Sequence, residues 1–413
     1  MLSIAGLYAI LGIPVRLIIL ILKYPLVGGI GRKFKRNLTQ SLKLLVCRSG
    51  LLVPIRDCRY ICIYSNNFLL NRIIKLVNHS LIKSLPHFGE KYDQNSFWIV
   101  KQPDRKPDDP VIIYLHGGGY YFETMPSQIQ SLITIYKLLD PELQSRVSIL
   151  HLGYKLACRG FSIPCQLLQL HETYKKLANE DGATNISFIG DSAGGNLAIV
   201  YPQYLKLIAN KQDSDIQLPY PKKLVLVSPW TKVRPEAQQY VPGNSYYDNN
   251  PRDMIRYEAF SDLDRSKCIV GTSNVHSLLV SPGNTTLQRQ DWISVPTFSS
   301  PDSDVLVIVG EDEVFRDDVL LWGKYALDVP LYDDHKYGDS EGKNLDKMWY
   351  IRTNDGKRAG VRFYVEPWGV HDSTFFFETH LIKRVNNLKL NDVDTQEFYG
   401  ISRIAQFLND TLK

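Results

Sequence analysis

The chain has 413 residues, of which 44% are hydrophobic and 22% charged, with a formal net charge of +5. That length admits one large α/β domain with insertions or two domains, and the composition excludes a repeat array or a low-complexity chain. Residues 1–60 hold ten Lys/Arg against the single acid Asp57, a net +9 that leaves the remainder at −4. A basic head on a mildly acidic body points to an anionic membrane surface, and no aromatic-and-basic interleaving or zinc-ligand spacing points to nucleic acid.

In chain order, Met1 to Ile30 is mostly Leu, Ile, Val, Ala and Gly, closed by Arg32-Lys33-Phe34-Lys35-Arg36. Leu2 to Leu22 is long enough to cross a bilayer, but Pro14 and Arg16 lie in its middle. The segment therefore spans with a kink and a costly charge, or lies in the interface with Arg16 snorkelling. It lacks the basic start and small-x-small site of a cleaved signal peptide. We expect residues 1–30 to form a membrane anchor or interfacial helix and residues 31–100 a basic, largely helical packing or cap segment. Residues 101–413 are expected to form the main α/β domain, with insertions at 230–300 and 333–360.

Trp98-Ile99-Val100 reads as an early strand. Beyond the Pro/Asp run Pro103 to Pro110, strands at Val111–Leu115, Val147–Tyr154, Ile186–Ile189, Lys223–Ser228, Val305–Gly310 and Val361–Val365 alternate with helical patterns. The helices fall at Gln128–Leu139, Leu167–Ala178, Ala193–Ala209, Phe315–Leu327 and Thr395–Leu412. This alternation predicts an α/β fold, a mostly parallel sheet covered on both faces. Trp230 to Ser300 is a candidate lid, and the polar Asp333 to Gly360 a surface excursion. The six cysteines show no metal spacing. Sequons occur at Asn37, Asn78, Asn185, Asn284 and Asn409; Asn185 opens a core strand, and the other four permit a lumenal location.

Gly190-Asp191-Ser192-Ala193-Gly194 fits G-x-S-x-G between a strand and a helix. Small residues on both sides let a sharp turn carry the Ser192 hydroxyl clear of the sheet, and the following helix aims its N-terminal amides at the site. The competing reading, a glycine-rich phosphate turn, lacks G-x-G-x-x-G and a Walker lysine. His116-Gly117-Gly118-Gly119-Tyr120 follows the strand Val111–Leu115. Its glycines allow backbone amides to approach an oxyanion without a Cβ in the way. Gly118, Gly119 and Ala193 are the expected oxyanion donors, and His116 braces the loop.

A base is expected last in the chain, after an acid at a strand end. His371, in the loop beyond the last strand, faces the carboxyl ends of the strands, as Ser192 does. His380, nine residues on in a helical pattern, competes with it. The acid lies in Glu311-Asp312-Glu313-Val314-Phe315-Arg316-Asp317-Asp318, where several carboxylates qualify. Asp317 and Asp318 read as helix-start acids matched to the dipole.

The pairing of H-G-G-G with G-D-S-A-G-G resembles the hormone-sensitive-lipase group of α/β-hydrolases. That resemblance places the triad acid at Glu313, glutamate where the group usually carries aspartate, with Asp312 as the alternative. Within the group, the basic apolar N-terminus, G-E-D-E-V-F-R-D-D and W-G-V-H-D resemble the fungal steryl acetyl hydrolases. The motif match spans roughly residues 110–375. It implies an endoplasmic-reticulum membrane enzyme with a lumenal catalytic domain that deacetylates sterol acetates through an acyl-enzyme, with a lipophilic ester as partner and no metal or organic cofactor. The positive-inside rule argues instead for a cytosolic catalytic domain. An arylacetamide-deacetylase-like or lipase-type esterase is the alternative chemistry, and a hydrophobic-ligand receptor on the same fold is the non-catalytic one.

Overall fold

The apolar runs that alternate with helices hold hydrophobic residues at nearly every position rather than every second one, as strands covered on both sides require. The computed structural model describes residues 1–210, 218–284, 287–334 and 348–412. Eight strands form one sheet: β1 (Ser96–Val100), β2 (Val111–Leu115), β3 (Ser148–Leu152), β4 (Ile186–Asp191), β5 (Lys223–Val227), β6 (Asp304–Gly310), β7 (Trp349–Arg352) and β8 (Gly360–Glu366). Their order is β1-β3-β2-β4-β5-β6-β8-β7, parallel throughout except for β1 and β7, which pair antiparallel at the two edges. Along β2, Val111, Ile113 and Leu115 enter one core while Ile112 and Tyr114 enter the other. Helix Ala193–Ala209 packs in the first core; helices Pro126–Lys137 and Tyr399–Thr411 pack in the second.

β7 falls inside the stretch expected to be a polar surface excursion, and that expectation fails for residues 349–352. As an edge strand it faces solvent, with Trp349 and Ile351 exposed, so its short apolar pattern carries little core signal. Residues 335–347 of the same stretch lie outside the described residues.

The N-terminus begins with α1 (Ile4–Val27), capped by Ser3, whose hydroxyl accepts from the Gly6 amide, and closed at Gly28 in the left-handed region. Pro14 sits within α1 without ending it. Asn37 caps α2 (Leu38–Gly50), which packs antiparallel against α1 across the tight 28–37 connection. Arg16 points inward, and its Nη1 donates to the Ser49 hydroxyl of α2 at 3.2 Å. Two of the basic residues closing this segment are engaged within the fold: Arg32 binds Asp312 and Lys33 binds Glu366. Phe34 and Leu44 form a small third core with Met254, Val370 and Phe377, joining the N-terminal helices to the 230–300 insertion and the loop bearing His371.

Candidate active site

The turn after β4 is built as a G-x-S-x-G sequence demands. Ser192 has φ 50° and ψ −113°, outside the regions L-residues prefer. A Cβ on Gly190 would come within 2.5 Å of the Gly194 carbonyl oxygen, and one on Gly194 within 1.8 Å of the Leu115 carbonyl oxygen. Both positions require glycine. Asp191 ties this turn to the neighbouring glycine loop: Oδ1 accepts from the Tyr114 hydroxyl (2.7 Å) and the Gly117 amide (3.0 Å), and Oδ2 from Gln128 (2.7 Å). Burial raises the Asp191 carboxyl to about 6 despite those donors.

The ring of His371 bridges two groups. Nε2 lies 2.8 Å from Ser192 Oγ, and Nδ1 lies 2.8 Å from Glu313 Oε1. Glu313 is held by its other oxygen, which accepts from the Ser228 hydroxyl (2.8 Å) and the Gly310 amide (2.9 Å). Phe315 stands edge-on to the imidazole, with centroids 5.2 Å apart. Asp312, the alternative acid, is instead paired with Arg32 and, at 3.4 Å, Arg252. His380 lies elsewhere, paired with Glu397 on the surface. His116 stacks on Tyr154, its Nδ1 2.7 Å from the Gly117 carbonyl, and burial pushes it down to about 4, so the ring is neutral.

Residues that sequence reasoning did not single out complete this arrangement. Asp253, from the insertion, accepts from the His371 amide (2.7 Å), the Met254 amide (2.7 Å) and the Val314 amide (2.8 Å). Asn249 donates to the Glu311 and Glu313 carbonyls at 3.0 and 2.9 Å. One insertion thus pins the loop of His371 and the loop of Glu313 together. Nothing in Asn249 to Asp253 advertises this, whereas Ser228, at the carboxyl end of β5, could have been suspected from its place in the sheet. Asp318 does lie in the first turn of the helix Arg316–Leu327, as expected of a dipole-matching acid, and it has a further role. It is buried and accepts from Tyr246 (2.6 Å) and Gln239 (2.9 Å), with Lys232 at 3.4 Å, so it anchors the insertion.

The His371 ring sits among carboxyl groups. Burial opposes its charge, but Asp372, Glu313 and Asp253 outweigh burial and hold it up, to about 10. Burial likewise raises Asp253 to about 7 and Asp372 well above the usual carboxyl range.

Ser192, His371, Gly118 and Gly119 open into one cavity of about 670 Å³, within the usual range for small-molecule sites. Its walls are mainly apolar, with Phe122, Met254, Ile255 and Phe260 from the catalytic domain and Ile10 and Ile13 from α1. Gly118 and Gly119 adopt positive φ of 111° and 61°, and Ala193 starts the helix after the turn, where amides have no intrahelical partner.

A family profile described as steryl acetyl hydrolase matches residues 6–342. The chain belongs to the steryl acetyl hydrolase family. A putative steryl acetyl hydrolase, mug81 of Schizosaccharomyces pombe, is 28% identical over 364 residues, covering 84% of this chain and 90% of that one. Steryl acetyl hydrolase 1 of Saccharomyces cerevisiae is 28% identical over 236 residues, 53% of this chain and 52% of that one. Versiconal hemiacetal acetate esterase stcI of Emericella nidulans is 26% identical, covering 58% of this chain and 76% of that one. A crystal structure of an esterase from the bacterial hormone-sensitive lipase family superposes with a TM-score of 0.51 at 20% identity, over 90% of this chain and 98% of that one. The fold is that of an α/β-hydrolase, and this steryl acetyl hydrolase family member is a carboxylic ester hydrolase acting on acetyl esters.

Proposed function

We propose that Ser192 is the nucleophile, His371 the general base and Glu313 its orienting acid, and that the ester is a sterol acetate. The observation that carries this is the His371 ring, 2.8 Å from both the hydroxyl and the carboxylate. Nδ1–H donated to Glu313 leaves the Nε2 lone pair facing Ser192 Oγ. As Oγ attacks the acetyl carbonyl, Nε2 takes its proton, and Glu313 stabilises the imidazolium that forms. The amides of Gly118, Gly119 and Ala193 receive the oxyanion. Return of the proton to the alkoxide releases the alcohol and leaves an acetyl-enzyme. Water, deprotonated by the same nitrogen, then cleaves it.

The apolar cavity and the family assignment support a sterol as the alcohol. A purified-enzyme panel tests this: cholesteryl acetate, an aryl acetamide and tributyrin. Cholesteryl acetate is expected to have the highest kcat/KM; a preference for the amide or the triglyceride would replace the sterol reading.

α1 is long and apolar enough to cross a membrane. We infer from it, and from the resemblance to the fungal steryl acetyl hydrolases, residence at the endoplasmic-reticulum membrane with the catalytic domain lumenal.

A further inference from the structure

Apart from Arg16 and the exposed Lys23, α1 is apolar on every face, yet only one stripe is used by the fold. Gly6, Ala9, Ile13 and Leu20 turn inward at helical spacing, while Leu11 and Ile18, on the opposite side, are 63% and 57% exposed. A helix apolar all round is stable only when covered all round, and a bare patch of this length marks an interaction surface. At about 36 Å the helix could cross a hydrocarbon core of about 30 Å, but it is fastened along its length. The Ser3 amide and hydroxyl donate to Asp57 at 3.1 and 2.5 Å, Arg16 holds Ser49, and just past its end the Ile30 amide donates to Ser41 at 3.2 Å. Crossing a bilayer in this pose would drag α2, with Lys43 and Arg48, into hydrocarbon, which disfavours charged side chains strongly. Exposed cations flank both ends: Arg56 and Arg59 beside the start, Lys35 and Arg36 after the finish. That charge pattern suits anionic headgroups lying along the helix.

The inner stripe has a second use. Ile10 and Ile13 of α1, with Val46 and Cys47 of α2, wall the cavity that holds Ser192. Val46 and Ile61, in the same wall, are 43% and 39% exposed, so the apolar lining runs out to the surface beside α1.

We propose that α1 lies lengthwise in the membrane interface, outer face among the acyl chains, and that lipophilic esters pass directly from the membrane to Ser192 along the apolar cavity wall that surfaces at Val46 and Ile61 beside α1. This rests on the hydrolase site proposed above but not on the alcohol being a sterol. The surface takes lipid; the cavity behind it takes the ester dissolved there.

Two measurements test it on the full chain. In sealed microsomes, single cysteines at Leu2→Cys and Lys35→Cys are probed with an impermeant maleimide. Equal protection of both is expected, and protection of one alone means a spanning helix and overturns the proposal. With vesicles of phosphatidylcholine and phosphatidylglycerol (3:1), Leu11→Glu/Ile18→Glu is expected to cut flotation and vesicle-borne hexadecyl acetate turnover about tenfold or more. Its hydrolysis of soluble p-nitrophenyl acetate should stay within about twofold, which also certifies folding. Ile13→Trp should float like wild type but lose hexadecyl acetate turnover. Unchanged flotation of the double variant, or equal loss on both substrates, overturns the proposal. So does a wild-type dimer that the double variant dissolves without any vesicle binding, since a second copy would then cover the face. If hexadecyl acetate behaves as expected while cholesteryl acetate is not cleaved, the sterol reading fails and the membrane entry stands.

Discussion

His371 is surrounded by more carboxyl groups than its chemistry needs, and Asp253 shows what an additional one does. It contributes negative charge that raises the proton affinity of the ring, and it holds the His371 and Val314 amides in place. Only the neutral ring can take a proton from Ser192, so activity rises as pH rises through the His371 titration. Removing the charge with Asp253→Asn lowers the ring's proton affinity and moves the acid limb of kcat/KM to lower pH. The amide oxygen can keep the His371 and Met254 donors, but the amide nitrogen faces the Val314 amide, donor against donor. We expect a stability loss of about 1–3 kcal/mol from that mismatch, read by urea unfolding. A purely structural role would lower stability and leave the acid limb where it is.

The elements differ in how much of themselves they show in sequence. Val111–Leu115, Lys223–Val227 and Asp304–Gly310 are apolar on both sides because both faces are covered, and Gly190 to Gly194 is spelled by the steric demands of the turn. Those parts were legible. β7 was not, because an edge strand half in solvent has little apolar pattern to show. Nor was the clamp of Asn249 and Asp253 on the loops of His371 and Glu313, since contacts across 61 to 118 residues leave no local periodicity. The turn also makes a sharp prediction. A methyl at Gly194 would overlap the Leu115 carbonyl, which belongs to a central strand and cannot yield. Gly194→Ala should therefore cost about 4 kcal/mol or more, seen as loss of soluble protein or a sharp fall in Tm, whereas an Ala at exposed Gly356, held to its positive φ only by a surface turn, should cost less.

For the whole molecule, the basic head divides its labour. Arg32 and Lys33 turn inward to Asp312, in the loop after β6, and Glu366, the last residue of β8, while Lys35 and Arg36 remain outside. Burial also revises the sequons: Asn78, Asn284 and Asn409 are buried in the fold and are not available as permissive sites, and Thr285 and Thr286 of the Asn284 sequon lie outside the described residues. Asn37 is exposed at the head of α2. If the catalytic domain is lumenal, endoglycosidase treatment should give a single-glycan mobility shift that Asn37→Gln abolishes. A shift of three or four glycans would contradict the fold at those buried positions.

The account stands or falls on one hydroxyl made reactive by one imidazole. Labelling by a fluorophosphonate, followed by acetate release from a lipophilic acetate, compares wild type with Ser192→Ala and His371→Ala. We predict stoichiometric adduct on Ser192 in the wild type, none in Ser192→Ala, and acetate release lower by about 10³-fold or more in both variants. Undiminished acetate release from Ser192→Ala would contradict it.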